Sequence, residues 1–355
     1  MKHQDLIFTN SVAQAIDSLA QSIAAPSVFV LVDVNTEMHV LPKLKAESEA
    51  IAGASVITMK AGDANKNLDS LAYIWKRLCD GGATRKSLLI NLGGGVVTDI
   101  GAFAGATFKR GIRFINVPTT LLAAVDAAVG GKTGINFNGL KNEIGAFREA
   151  DAVVISTAFF STLHREELLS GYAEMLKHGL ISDKDCYNRL LAYDISASDD
   201  SKHLLSLLEE SVNVKRRIVE EDPTEKGIRR ALNLGHTAGH AFESLALSRK
   251  SPVPHGYAVA WGLVVELVLS HMKLGFPSGE LHRFAGYVYE NYEPIDITCD
   301  DYPDLLELMH HDKKNESTEI NFTLLDDVGR IHIDCVASED EIRAALDIFR
   351  DLLHI

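Results

Sequence analysis

Three histidines are the clearest candidates for chemistry in this 355-residue sequence. His236 and His240 are four residues apart, a spacing that places both imidazoles on one face of a helix, where they could ligate a metal together. His255 stands just before a long apolar stretch of helical periodicity. We therefore expect His255 to reach the same pocket from a helix N-terminus.

An acidic residue, Glu174, lies in an otherwise apolar segment, where burying an unpaired carboxylate is costly. Two histidines and one carboxylate form a known catalytic zinc set that leaves coordination positions open. The spacing is equally compatible with Glu174 pairing at the surface with Lys177 or His178. In that second interpretation the histidines only make hydrogen bonds in the core.

A run of three glycines, residues 93–95, follows an apolar run typical of a buried strand and opens a predicted helix. Bare backbone amides at a helix N-terminus favour pyrophosphate, although this is not the G-x-G-x-x-G fingerprint. Asp33, Thr119 and Thr120 end other predicted strands and could add polar groups in the same crevice. The alternative is a tight turn that merely needs glycine, with caps at the strand ends.

The segment 125–147 combines glycines with Lys132, Lys141 and Asn142, which suit phosphate oxygens. It superficially resembles a P-loop, but that motif requires glycine where this chain has Asp126. We therefore reject an ATPase. The alternative is a solvated loop of lysines and asparagines that binds nothing.

The elements that must position these residues change in character along the chain. Strands are predicted at 28–32, 55–59, 87–90 and 113–117, alternating with helices, which indicates an open, mostly parallel sheet with ligands beyond the carboxyl ends of its strands. Further along the chain, apolar residues recur at spacings of three and four residues, which predicts helices. These stretches are 160–190, 201–219, 231–246 and 258–274. Two short strands, at 319–325 and 330–333, precede a last helix from Ser338.

We therefore predict an α/β N-terminal, Rossmann-like, mostly parallel sheet domain over residues 1–155, plus a mainly α-helical C-terminal domain over 156–355. The chain length favours two domains over one, because single cores usually stop growing at about 250–300 residues. The predicted roles are NAD binding for the first domain and metal and substrate binding for the second.

Composition excludes several classes of protein. The net charge of −14 argues against a broad nucleic-acid or anionic-membrane surface, so we expect no nucleic-acid and no membrane partner. The longest apolar stretch, 259–269, is interrupted by Glu266 and is too short to span a bilayer. No secretory signal is visible, and four scattered cysteines fit reduced, mostly buried thiols. A cytoplasmic protein is the expectation.

Read together, the motifs closely resemble the 3-dehydroquinate synthase family over nearly the full length. The segments that carry the resemblance are Gly93-Gly94-Gly95-x-x-x-Asp99, Arg110 to Phe114, Val117 to Leu122, Asp126 to Asn136, Lys141-Asn142-x-Ile144-Gly145-x-Phe147, Gly171-x-Ala173-Glu174, Leu232-Asn233-x-Gly235-His236-x-x-Gly239-His240 and His255-Gly256.

The resemblance implies a phosphate-eliminating lyase of the shikimate pathway. The family converts 3-deoxy-D-arabino-heptulosonate 7-phosphate, a phosphorylated sugar acid, to 3-dehydroquinate and phosphate. It recycles NAD within each turnover by oxidation, phosphate elimination, re-reduction, ring opening and aldol closure. It also uses a divalent metal, usually Zn²⁺ with Co²⁺ as an alternative, and forms a homodimer.

Residues carried over by motif fall into three sets. The implied metal ligands are Glu174, His236 and His255, with His240 beside the substrate instead of on the metal. The implied NAD contacts are Asp33, Asn35, Asp63, Lys66, Gly94, Gly95, Asp99, Thr119, Thr120, Lys132 and Lys141. The implied substrate contacts are Arg110, Asp126, Lys132, Asn142, Lys177, Lys215, Arg229, Asn233, His240 and Lys313, Arg110 acting across the dimer interface.

Two positions depart from the family pattern. Tyr257 stands where many relatives carry glutamate, and Asp63 stands where glutamate is commoner. The alternatives are another NAD- and zinc-dependent sugar phosphate cyclase, a metal-dependent polyol dehydrogenase, and a catalytically silent protein that binds zinc and NAD. Retention of Lys215, Arg229 and Asn233 favours a carboxylate-bearing substrate, and the lysines of segment 125–147 favour a phosphorylated one.

Overall fold

The computed structural model describes residues 4–195, 201–310 and 320–355, and these form two compact units. The first unit runs to His164 and includes residues 201–212 of a later helix. The second contains the described residues from Arg165 to position 195, and those from Asn213 to Ile355. Lys313, a predicted substrate contact, lies outside the described residues.

The first unit is built on a parallel sheet. Its strands are β1 (Asp5–Phe8), β2 (Val28–Asp33), β3 (Ser55–Met59), β4 (Leu88–Gly93), β5 (Arg113–Pro118), β6 (Lys132–Phe137), β7 (Leu140–Phe147) and β8 (Ala152–Ile155). Among the described residues the main sheet has the order β1-β8-β5-β4-β2-β3, and all its pairs are parallel. The central strands are almost wholly buried, which explains their continuous apolar sequence. The predicted parallel α/β sheet is confirmed.

Residues 132–147, the larger part of the segment rich in glycine and lysine, form the antiparallel hairpin of β6 and β7, so the alternative of a plain loop is wrong for them. Gly134 and Gly145 face each other in this hairpin. A Cβ on Gly134 would lie 2.7 Å from the carbonyl oxygen of Ile144, so glycine allows the strands to approach. These strands were not predicted because β7 is exposed along almost its whole length, so its sequence carries no alternation of buried and exposed residues.

The helices of the first unit connect and cover these strands. They are α1 (Val12–Ile23), α2 (Val34–His39), α3 (Leu41–Glu47), α4 (Glu49–Ala52), α5 (Leu68–Asp80) and α6 (Gly95–Thr107). Helix α6 begins directly after β4, as the glycine run predicted, and is buried over most of its length. A Cβ on Gly105 would lie 2.8 Å from Cδ1 of Phe114 on β5, so this glycine fixes how closely α6 packs on the sheet.

The second unit is mainly helical, as predicted. Its elements are α7 (Arg165–Ser182), α8 (Lys184–Ala192), the latter part of α9 (Ser201–Glu221), α10 (His236–Ser248), α11 (His255–Leu274), α12 (Ser278–Asn291), α13 (Tyr302–His310), β9 (Ile320–Asp327), β10 (Arg330–Ala337) and α14 (Glu339–Leu352). Strands β9 and β10 pair antiparallel. Ser338 caps α14 by accepting a hydrogen bond from the Glu341 amide.

Two predicted helices are shorter than their periodicity suggested. Stretch 160–190 is divided because Asp183 accepts a hydrogen bond from the Cys186 amide and starts α8. Stretch 231–246 yields α10 only from His236, because Gly235 adopts a φ of +79° that ends the preceding turn. The thiol expectation was also wrong in part, since Cys79 and Cys299 are exposed.

Helix α11 has the length and apolar character of a membrane span, but 78% of that stretch is buried within the folded chain. It packs against α7, α10, α12, α14 and β9 of the same unit. Internal packing therefore accounts for its apolar composition.

Replacing Gly105 with alanine should lower the free energy of unfolding by about 1–3 kcal/mol, because the new methyl group would push α6 away from Phe114. Gly53→Ala is the matched control in the same unit. Its backbone has an ordinary φ of −85°, and its Cβ would make only a 3.5 Å contact. Urea titration followed by circular dichroism measures both variants, and equal midpoints would contradict the packing argument.

Candidate metal and nucleotide sites

A fully buried carboxylate, Glu174, lies in the middle of α7 in the second unit. Every residue of α7 from Leu169 to Ile181 is buried. Glu174 forms an ion pair with Lys177, one helical turn further on, which is 1% exposed. The surface pairing considered from the sequence is therefore wrong, since this pair is internal.

Two imidazoles approach Glu174 from different helices. Nε2 of His236, the first residue of α10, lies 3.5 Å from Glu174 Oε1. Nε2 of His255, the first residue of α11, lies 3.7 Å from the same oxygen. The ligand atoms of all three residues lie within 4.8 Å of one another.

These distances fit a shared divalent cation better than hydrogen bonding. They exceed the ordinary 2.7–3.2 Å range for N–H···O bonds, and Oε1 accepts no hydrogen bond within the described residues. Ligands about 2.0–2.2 Å from a tetrahedral zinc would be separated by roughly 3.4 Å. The donor set of one carboxylate and two imidazoles also suits zinc.

Each imidazole is oriented through its other nitrogen. His236 Nδ1 lies 3.1 Å from the carbonyl oxygen of Leu234, and His255 Nδ1 lies 3.4 Å from Oε2 of Glu243. Such contacts fix ring orientation, so that each Nε2 faces Glu174. Sequence reasoning missed Glu243, although its position three residues after His240 was a usable signal.

Tyr257, which departs from the pattern that the family resemblance implies, contacts other aromatic side chains. Its ring centroid lies 5.0 Å from that of Tyr292 and 6.2 Å from that of Trp261. The side chain is buried in this aromatic packing. Glu243, on α10, brings its carboxylate to Nδ1 of His255.

The charges of this cluster favour a cation. Burial alone would raise the pKa of Glu174, but the Lys177 ammonium and then His255 hold that pKa well below its usual value. Burial alone would lower the pKa of His255, but the neighbouring carboxylates of Glu174 and Glu243 raise it to about 9. Positive charge is thus stabilised where a metal ion would sit.

His240 lies close to the cluster, one turn after His236 on α10. The ring centroids of His236 and His240 are 5.3 Å apart, and those of His240 and His255 are 6.1 Å apart. His240 is not part of the compact group formed by Glu174, His236 and His255. Its predicted place beside the substrate stays a prediction.

The second unit also buries the other predicted cations. Lys215 is 6% exposed and Arg229 is 3% exposed. Asp222 fixes the backbone at Arg229. Its Oδ2 accepts hydrogen bonds from the amides of Gly227 and Arg229 at 2.7 and 3.2 Å. Asn233 ends the 3₁₀ helix that Arg229 belongs to. Sequence reasoning treated Asp222 only as part of a charged loop.

In the first unit, helix α6 begins within the glycine run, and no side chain caps its N-terminus. Gly94 is the N-cap of α6 and makes no side-chain cap. The amide of Thr119 donates to the carbonyl oxygen of Gly93 at 2.9 Å, which holds the ends of β4 and β5 together. A Cβ on Gly94 would lie 3.2 Å from Cγ2 of Thr120. Gly94, Gly95, Thr119 and Thr120 are therefore neighbours at the carboxyl edge of the sheet.

A second group of predicted residues meets at Lys66. Its Nζ lies 2.9 Å from Oδ2 of Asp99 and 2.5 Å from Oδ1 of Asn142. Asn136, which the sequence placed only at the end of a motif, links this group to the hairpin. Its side chain donates to Asp63 Oδ2 at 3.0 Å and accepts from the Asn142 amide at 3.0 Å.

The remaining predicted residues occupy several local settings. Asp33 caps α2 by accepting from the Thr36 amide at 2.7 Å, so it has a structural role there. Asn35 is exposed on α2, and Arg110 is exposed with a left-handed φ of +67°. Lys132 and Lys141 are exposed on β6 and β7, and Asp126 lies in the π-helical turn Ala123–Ala127.

Known structures share this fold. The chain matches 2-epi-5-epi-valiolone synthase from Streptomyces hygroscopicus, which was solved with NAD⁺ and Zn²⁺. The match covers 99% of this chain and 98% of the synthase, with a TM-score of 0.86 and 22% identity. The chain also matches 2-deoxy-scyllo-inosose synthase, solved with carbaglucose-6-phosphate, NAD⁺ and Co²⁺, over 98% and 96% with a TM-score of 0.82 and 21% identity. The chain therefore shares the fold of these two synthases.

Comparison of the sequence with known proteins identifies the family. The family models for the N-terminal and C-terminal parts of 3-dehydroquinate synthase match residues 56–170 and 171–315. The 3-dehydroquinate synthase of Parabacteroides distasonis is 50% identical over 351 residues, which cover 99% of each chain. The chain belongs to the 3-dehydroquinate synthase family, and the resemblance found in its motifs is confirmed.

Asn136→Ala should loosen the β6–β7 hairpin at the Asp63 turn, because its side chain donates to Asp63 and accepts from the Asn142 amide. The backbone bond from the Asn136 amide to the Lys66 carbonyl oxygen, at 2.8 Å, is kept. We expect faster amide hydrogen exchange at Asn142 and at neighbouring hairpin positions. Asn65→Ala is the control, since the Asn65 side chain donates only locally, to the carbonyl oxygen of Ala61 at 2.7 Å. Equal exchange in both variants, measured by mass spectrometry, would argue against the link.

Proposed function

We propose that the chain catalyses the conversion of 3-deoxy-D-arabino-heptulosonate 7-phosphate to 3-dehydroquinate and phosphate, a step of the shikimate pathway. The observation that carries this proposal is 50% identity to a 3-dehydroquinate synthase across 99% of both chains. The buried group of Glu174, His236 and His255 supports it, since a phosphate-eliminating lyase of this family needs a metal site.

The proposed cofactors are NAD and a divalent metal, zinc or cobalt. The structurally similar cyclases were solved with NAD⁺ and either Zn²⁺ or Co²⁺. When bound, NAD supplies reversible oxidation of a substrate alcohol, and the metal supplies Lewis-acid polarisation of its oxygen. Glu174, His236 and His255 would hold the metal, and the α6 N-terminus with its glycines would hold the pyrophosphate of NAD.

The residues of the second unit would bind and orient the sugar acid. Arg229 presents a planar fork suited to a carboxylate, and Lys215 adds a second positive charge. Asn233 and His240 would hydrogen bond substrate hydroxyls. Lys177 has the double role of neutralising Glu174 and lying close to the metal group.

The residues of the first unit would bind the cofactor and the phosphate. Asp33, Asn35, Asp63, Lys66, Asp99, Thr119, Thr120 and Lys141 are the proposed NAD contacts beside Gly94 and Gly95. Lys132, Asn142 and Arg110 would hold the substrate phosphate, and Asp126 would also contact the substrate. The phosphate of the substrate is the proposed base for the C6 proton, so these side chains would position it for that transfer.

A cyclase acting on another phosphorylated sugar is the second candidate, favoured by the shared fold with inosose and valiolone synthases. The ammonium group of Lys215 and the guanidinium group of Arg229 favour the sugar acid, because both groups donate hydrogen bonds of the kind that a carboxylate accepts. A polyol dehydrogenase would have no use for the phosphate-binding lysines.

A cytoplasmic homodimer is the proposed state of the protein. The β6–β7 hairpin presents Phe137, Leu140, Ile144 and Phe147, which are 38, 50, 38 and 64% exposed. An apolar patch of this kind on a protein surface is typical of an interface. A second copy of the chain covering it would also agree with the family pattern in which Arg110 acts across the dimer.

Purified protein supplied with NAD and Zn²⁺ should release phosphate from 3-deoxy-D-arabino-heptulosonate 7-phosphate. Mass spectrometry and NMR should identify the carbocyclic product as 3-dehydroquinate, and a chelator should abolish the reaction. Glucose 6-phosphate and sedoheptulose 7-phosphate are the control substrates for the rival cyclases. Turnover of either control without turnover of the sugar acid would refute the proposal.

His236→Ala should lose zinc and activity together, whereas His240→Ala should lose activity and retain zinc. The reason is that only His236 belongs to the compact group with Glu174 and His255. Zinc affinity is measured by competition with a chromogenic chelator, with circular dichroism to check folding. Loss of zinc from the His240 variant would overturn the ligand assignment.

A further inference from the structure

A second buried carboxylate in the second unit, Glu266, lies outside the metal-binding group. Glu266 lies on α11, eleven residues after His255, and is fully buried. Burying a carboxylate costs several kcal/mol unless its oxygens are well hydrogen bonded. Its partners therefore indicate why an acidic residue occupies an apolar helix.

Three hydrogen bonds join Glu266 to the beginning of α10. Oε2 accepts from the amide of Gly235 at 2.6 Å, and Oε1 accepts from the amides of Thr237 and Ala238 at 3.0 and 3.3 Å. The first N–H groups of a helix have no intrahelical acceptor. The N-cap residue, Gly235, has no side chain to supply one. Glu266 supplies these acceptors from the neighbouring helix.

The two helices also approach each other unusually closely. A Cβ on Gly262 would lie 2.6 Å from the backbone nitrogen of Gly239, and a Cβ on Gly239 would lie 2.9 Å from the carbonyl oxygen of Ala258. Glycine on both sides leaves the backbones in contact. A charge placed on α11 can therefore reach the α10 N-terminus, where the helix dipole favours a negative group.

This contact joins the two helices that carry the imidazoles facing Glu174. His236 stands between Gly235 and Thr237, whose amides Glu266 binds on either side. His255 begins the helix that carries Glu266 itself. The position of one imidazole relative to the other thus depends on this carboxylate.

We propose that Glu266 is a positioning residue for the metal site, holding the first turn of α10 so that His236 and His255 face Glu174 at ligand spacing. This inference rests on the proposed function, because it assumes a metal held by these three residues. Glu266 does not contact the ion or the substrate. Its effect is transmitted through the backbone amides flanking His236.

The test compares zinc affinity in Glu266→Gln with that in Ser270→Ala. The side-chain amide of the Glu266→Gln variant keeps the shape of the carboxylate but turns an N–H group towards backbone N–H groups. We therefore expect its Kd for zinc to be roughly 10–100-fold higher than that of the wild type. Ser270 is buried one turn further along α11, and its hydroxyl accepts from the Leu325 amide at 3.0 Å. Its loss should lower Tm and leave the zinc Kd unchanged.

Chelator competition gives the zinc Kd, and hydrogen exchange at Thr237 and Ala238 reports the α10 N-terminus directly. Glu266→Asp replaces Glu266→Gln if the latter does not fold, because its shorter carboxylate cannot reach all three amides. A folded Glu266 variant that binds zinc like the wild type would overturn the inference alone. A wild-type protein that binds no zinc would overturn the proposed metal site and this inference with it.

Discussion

The buried carboxylate of Glu174 is the constraint on which the second unit depends. A negative charge inside a helix whose neighbours are all buried must be compensated, and the compensation comes from Lys177 and from imidazoles on two other helices. Three helices are therefore fixed around one charge. The resulting group has the donor types and spacing of a zinc site, and the same charge gives α7 a polar centre within an apolar core.

The first unit differs from the second in that its candidate binding groups at the end of the sheet are backbone amides. Its sheet ends at glycines whose amides start α6 without a capping side chain, and this leaves donors available to a phosphate. Around this edge, Lys66 connects Asp99 and Asn142, and Asn136 connects the hairpin to the Asp63 turn. This edge of the first unit is thus held by a network of short polar links instead of one deeply buried charge.

Much of this architecture follows from local sequence. Continuous β-branched runs predicted the central strands, and periodicity predicted the helical second unit, because both signals come from burial of nearby residues. The four-residue strands β1 and β8 carry too little pattern to be found, and the hairpin strand β7 is exposed along almost its whole length. The family resemblance gave Glu174, His236 and His255 as metal ligands, whereas spacing alone paired His236 with His240, which lies outside the compact group. Asn136 and Glu266 bind residues distant in sequence, at Asp63 and at the start of α10, and spacing cannot reveal such contacts.

The most direct measurement is anomalous diffraction at the zinc absorption edge from crystals of the zinc-loaded protein. The account predicts one strong peak about 2.0–2.2 Å from a carboxylate oxygen of Glu174 and from Nε2 of His236 and His255. His240 should lie beyond bonding distance from that peak. A zinc ion bound by His240 in place of His255, or bound away from Glu174 altogether, would contradict the account.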